Sequence, residues 1–285
     1  AFIEVEAIPE QAYRDLPFFE DFRPMPYQAL VRFGRWQEMV DAPAPGEELP
    51  FATAFWHYAR GVALANLDRV DEAKEELAAV EAAKSNPAFD GLVMASFATA
   101  QQNLDMAAGI LKATLAKAEG DQEEAIAQLQ AVVEIQDSLP YIEPPAWYFP
   151  IRHPLGAELM AVGQAEAAEA VYRRDLEQYP ANGWSLYGLA QALEAQDNTD
   201  EAATIRSEFE EAWRGSDIVL AVSTCPCEMA AAAECSSATG NEAAHGHVSS
   251  SDPVDVQIAN AMSAAPMAIA RDATIYGFPA DESGK

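Results

Sequence analysis

The stretch Tyr148–Pro180, YFPIRHPLGAELMAVGQAEAAEAVYRRDLEQYP, decides the fold. In it Leu155-Gly156 is followed by Leu159, Gly163, Ala168, Tyr172 and Pro180. Small Gly156 and Ala168 predict two helices in close approach, with Leu159 and Tyr172 filling the space between them. Gly163 turns the chain between the two helices. Pro180 ends the second, because proline has no amide hydrogen to donate and cannot continue it.

The same spacing recurs on both sides. Downstream come Leu189-Ala190, Leu193, Asp197 and Ala202, with Asp197 in place of the turn glycine, a position aspartate tolerates; Gly156 to Ala190 is 34 residues. Phe209 and Trp213 then cover the end of that second helix. Upstream, one unit carries Gly61, Leu64, Asp68, Ala73 and Leu77, and another Ala113, Ala116, Gly120, Ala125 and Leu129. Spacings of 52 and 43 residues between successive small residues predict extra chain inserted between units. VRFGRWQEM (31–39) reads as the turn of a still earlier pair with a degraded or missing start.

Four units in one register resemble the tetratricopeptide repeat, whose pattern is L-G-x2-Y, A-x3-F and P within 34 residues. Pro144-Pro145-Ala146-Trp147-Tyr148, the Val171–Leu176 helix VYRRDL, and Asn182-Gly183-Trp184 resemble the layout of a group of bacterial tetratricopeptide proteins. The resemblance covers roughly residues 20–215 and implies an all-α, right-handed α-solenoid of antiparallel helix pairs. It implies nothing firm about chemistry. The expected organisation is an incomplete helical repeat over 1–49, the solenoid over 50–214, and a Cys/His-containing, mostly irregular tail over 215–285. Between units, 83–109 is expected to add a helix or helix pair from Asn86-Pro87. The four prolines and four aromatics of 136–150 predict a rigid, extended crossing.

Stacked helix pairs curve, and the first helix of each lines the concave face. With the small residue as position eight, positions two, five, nine and twelve face that groove. They are Phe55, Tyr58, Val62 and Ala65; Ala107, Ile110, Thr114 and Lys117; Pro150, His153, Ala157 and Met160; and Trp184, Tyr187, Gln191 and Glu194. The expected partner-binding set is Phe55, Tyr58, Trp147, Arg152, His153, Trp184, Tyr187 and Gln191, an aromatic groove for an extended peptide or a partner helix. Packing of Trp147, Tyr148 and Phe149 onto the solenoid, without any partner, is the competing reading.

Composition narrows the classes of partner. Half the residues are apolar, enough for a core, and 46 acidic against 17 basic residues leave a net charge of −29. Such a surface repels phosphate backbones and anionic lipid heads and favours cationic peptides, basic protein faces or metal ions. No stretch approaches the ~18 apolar residues of a membrane span. Ala1 is not Met, and no basic or apolar leader follows it, which suggests a fragment or a processed product.

No phosphate-binding loop, dinucleotide fingerprint, H-E-x-x-H or G-x-S-x-G motif is present. His57 reads as a packed structural residue, and His153 lacks an evident acid–base partner, so no enzyme is predicted. No cofactor is expected for the helical part. In the tail, Cys225, Cys227, Cys235, His245 and His247 offer soft ligands for Cu(I) or Zn(II). A disulfide or inert thiols are the alternatives there. Residues 254–279 resemble the opening of some exported bacterial proteins, which leaves cytoplasm and periplasm equally open. The reading is thus a protein-interaction scaffold, with a metal-handling accessory protein as the alternative.

Overall fold

A computed structural model describes residues 10–46, 48–143, 145–216 and 220–224. Among them are eleven α-helices and no strand; only an isolated bridge joins Val93 to Thr99. They are α1 (Glu10–Asp15), α2 (Met25–Arg32), α3 (Trp36–Asp41), α4 (Pro50–Asn66), α5 (Val70–Ala83), α6 (Ala100–Ala118), α7 (Gln122–Ser138), α8 (Arg152–Ala161), α9 (Ala165–Gln178), α10 (Gly183–Ala195) and α11 (Thr199–Ala212). From α2 onward the helices form five hairpins, each packed on the next.

One turn is used five times. Gly34, Asp68, Gly120, Gly163 and Asp197 all have φ between 58° and 82°. In each case the following amide reaches back to the carbonyl five residues earlier: Arg35 to Leu30, Arg69 to Leu64, Asp121 to Ala116, Gln164 to Leu159 and Asn198 to Leu193, at 2.8–3.0 Å. This left-handed ending satisfies carbonyls that the first helix would otherwise orphan and turns the chain into the second helix. The opening pair α2–α3 carries the same turn at Gly34. Both helices of this pair are short, of eight and six residues.

Small residues set the helix spacing. Ala73, Ala125, Ala168 and Ala202 are at most 1% exposed. A Cβ on Gly61 would meet Leu111 at 2.6 Å, and one on Gly156 or on Gly188 would meet the Tyr172 ring at 2.3 Å. Tyr172 on α9 therefore packs against α8, as its spacing predicted, and also against α10, which the spacing did not indicate. His57 bonds the buried Glu76 carboxylate at 2.5 Å beside Arg60, consistent with a structural histidine.

Helix starts draw on both local and distant partners. Thr99 and Gln102 form a reciprocal capping box on α6, and Asn182 accepts from the Trp184 amide at the start of α10. At α4, Leu49 has no capping side chain. Its place is taken by the buried Glu20, which accepts from the Phe51 and Ala52 amides at 2.9 and 3.2 Å.

The inserts differ in kind. In its first part, the segment expected to hold an additional helix or helix pair has a 3-10 turn at Pro87–Phe89, anchored by Asn86, and then an irregular loop to Thr99. Its second half is the first turns of α6, because the apolar periodicity from Ala100 onward joins without a break to the following unit. The Pro-rich crossing begins after Ser138, where α7 stops, and runs irregularly to α8.

Candidate binding groove

First helices of successive pairs pack side by side: α2 on α4, α4 on α6, and α8 on α10. Between α6 and α8 the packing opens, and a Lys117–Glu158 ion pair at 2.8 Å spans the gap. A groove of about 520 Å³ lies there. Its apolar lining includes Val31, Val62, Ile110 and Leu129, with Asn66, Thr114 and Lys117 among its polar groups. Tyr58, Val62, Ala65, Ile110, Thr114 and Lys117 were all assigned to the concave face by register, and all six line it. Its charged lining is balanced, Arg32 and Lys117 against Asp68 and Glu158, on a chain of net charge −29.

The far wall comes from an unforeseen closure. Arg32, at the end of α2, lays its guanidinium 4.1 Å from the centroid of Trp184 on α10 and 5.4 Å from that of Phe149. The first and fifth helix pairs thus meet across the concave side. A cation over an indole face in a desolvated setting is worth about 2 kcal/mol.

This closure, together with two irregular segments, relocates most of the predicted binding residues. Phe55, Tyr58, Trp147, Arg152, His153 and Trp184 are all buried. The Pro-rich crossing folds back onto α4, with the Trp147 ring 5.7 Å from those of both Phe55 and Tyr58. The Tyr58 and Tyr148 hydroxyls bond at 2.9 Å. Of these rings only Tyr58 also reaches the groove. Arg152 holds Asp137 with two bonds of 2.8 and 2.6 Å, tying the base of the crossing to the end of α7. Gln136 secures the same end of the crossing, donating to the Phe149 carbonyl and accepting from the Ile151 amide. These residues serve the crossing and the core. Tyr187 and Gln191 remain partly exposed on α10.

His153 belongs to a buried polar cluster. Asn182 Nδ2 donates to His153 Nε2 at 2.9 Å and to Asp175 Oδ2 at 3.2 Å, and Ser185 donates to the same carboxylate oxygen at 2.6 Å. Since Nε2 accepts, the neutral ring carries its proton on Nδ1, which has no bonding partner among the described residues. Burial lowers the His153 pKa from 6.5, against the opposing pull of Asp175. The cluster has no route to solvent for a substrate, with His153 and Asp175 at 1% and 0% exposure.

One contributor to this face was not legible in the sequence. Residues 220–224 return after α11 and lie against the concave side. Tyr187 donates to the Ala221 carbonyl at 3.2 Å. Ser223, 1% exposed, donates to the His153 carbonyl at 3.1 Å and bonds the Tyr172 hydroxyl at 2.5 Å. Thr224 lines the groove. The loss of the 34-residue period marked this region only as different.

The candidate metal ligands Cys225, Cys227, Cys235, His245 and His247 lie outside the described residues. Among the described residues no cluster of three His, Cys, Asp or Glu is placed to hold a metal ion, and no helix is long and apolar enough to cross a membrane. Comparisons with protein-family models, with characterised proteins and with solved structures find no match.

Proposed function

We propose that this chain is a tetratricopeptide-type repeat protein, a right-handed α-solenoid acting as an interaction scaffold, and that it takes a peptide or a segment of a partner protein into the concave groove. The observation that carries this reading is the opening between α6 and α8, about 520 Å³, lined by first helices of four successive pairs. That volume falls within the usual range for binding clefts. Its apolar lining suits apolar side chains of a peptide, and Asn66, Thr114 and Lys117 are the polar groups that would meet the peptide backbone. The acidic surface around a charge-balanced groove favours a neutral or basic polypeptide over nucleic acid. A binding role is preferred to catalysis because the buried histidine of this face is sealed in the core.

A displayed peptide library panned on the full chain tests it. Thr114 bonds only its own helix, at the Ile110 carbonyl, so Thr114→Trp fills the groove without breaking a tertiary hydrogen bond. Enriched peptides are expected to lose at least tenfold in affinity for Thr114→Trp while its circular dichroism stays that of the parent. Peptides that bind both proteins equally, or no enrichment at all, would overturn the assignment.

A further inference from the structure

We infer that residues 220–224 are an internal ligand: they lie on the face formed by α8 and α10 and enter the groove at Thr224 as a partner segment would, and a partner must displace them. The inference rests on the binding-groove reading and adds to it the chemistry of the segment recognised.

Three observations carry it. The segment bridges α8, α9 and α10, bonding the His153 carbonyl, the Tyr172 hydroxyl and Tyr187 in turn, and ends with Thr224 in the groove. Tyr187 was placed on the concave face by its repeat register, so its bond to Ala221 puts the segment on the binding side. The segment is also bonded as a peptide is read, with a backbone carbonyl held by Tyr187 and one side chain, Ser223, held twice. Because Ser223 donates to the His153 carbonyl, Tyr172 donates to Ser223, and the pair selects a hydroxyl that can both give and accept. Leu220, 7% exposed, is the apolar anchor three residues earlier. The matching partner segment therefore carries an aliphatic residue, two tolerant positions, and then serine.

An engineered protease site between Ser216 and Leu220 in the full chain tests this, since the body folds with its segment attached. The probe is a labelled peptide of residues 217–224, DIVLAVST. Protein cut and washed of its released fragment is expected to bind the probe at least tenfold more tightly than uncut protein. A Ser223→Ala version of the probe binds the cut protein several-fold more weakly. In uncut protein, Leu220→Asp, which alters no residue of the groove wall, raises probe uptake several-fold. Equal uptake by cut and uncut protein, or no response to Leu220→Asp, overturns the internal ligand. If library peptides still bind in a Thr114-dependent way while the probe does not, only this inference falls. If neither binds cut protein that keeps its helical spectrum, the groove reading falls with it.

Discussion

The guanidinium of Arg32 lies 4.1 Å from the ring centroid of Trp184, so a residue of the first helix pair rests on one from the fifth. Arg32 also lines the groove, so this contact ties one groove wall to α10. Arg32→Ala is expected to cost about 2 kcal/mol, the size of a desolvated cation–π contact. A double-mutant cycle with Trp184→Leu separates this contact from the packing that each residue makes elsewhere. Additive losses would show that the two ends of the arc are not energetically joined.

Gly156→Ala sets two effects against each other. Alanine favours a helix over glycine by about 1 kcal/mol. Yet the added Cβ would fall 2.3 Å from the Tyr172 ring, which is wedged against Gly188 as well. Overpacking of that kind costs about 1–3 kcal/mol, so a net loss is expected in urea unfolding. Tyr172→Leu in the same chain should relieve much of the clash, and a further loss there would contradict the packing account.

Glu20 caps a helix that lies thirty residues away in the chain, and burial raises its pKa from 4.5 against the pull of the two amides. The native state therefore holds this proton more tightly than the unfolded chain does. Its contribution to stability is full below 4.5 and is lost as pH rises through the folded value. Glu20→Gln keeps an acceptor for Phe51 and Ala52, and should change stability at pH 7 by less than about 1 kcal/mol. Glu20→Ala orphans both amides and should cost about 1–3 kcal/mol. Thermal unfolding of the two variants side by side decides whether the acceptor or the charge matters.

His153 gives the opposite slope. Its folded pKa lies below 6.5, so the unfolded chain binds the proton more readily. Stability is present above 6.5 and is lost as pH falls through the folded value. The groups that face the ring are Asp175 and Asn182 in the polar cluster, Trp184 stacked at 6.2 Å, and the charge of Arg32, which opposes a second cation. The parent protein should lose melting temperature between pH 7.5 and 5.5, and His153→Gln should lose less over the same interval. Identical slopes would place the acid sensitivity elsewhere.

Trp147 tests the crossing. Its ring packs on Phe55 and Tyr58 at 2% exposure, and Trp147→Ala should cost about 3–5 kcal/mol. If the cost stays under about 1 kcal/mol, by the same scale of core truncations, the crossing is not part of the core.

Four of the five hairpins could be read from the chain alone, and the first only by its turn at 31–39. Each needs only local marks: a residue able to take positive φ at the turn, a small residue where helices touch, and a large one opposite. Gly156, Gly163, Ala168 and Tyr172 carried those marks within one 34-residue unit, and Asp197 carried the turn of the next. The register also identified Tyr58, Val62, Ala65, Ile110, Thr114 and Lys117 as groove-lining. Which concave positions stay open was decided by contacts between residues far apart in the chain. The Pro-rich crossing buries Phe55 and largely covers Tyr58, Arg32 covers Trp184, and residues 220–224 cover the Tyr172 hydroxyl and the His153 carbonyl. Irregular segments have no periodicity to reveal where they will lie, because their positions are set by the surface they find after the helices have packed. The repeat follows from local chemistry, whereas the groove that remains follows from how the arc closes and what the chain lays across it.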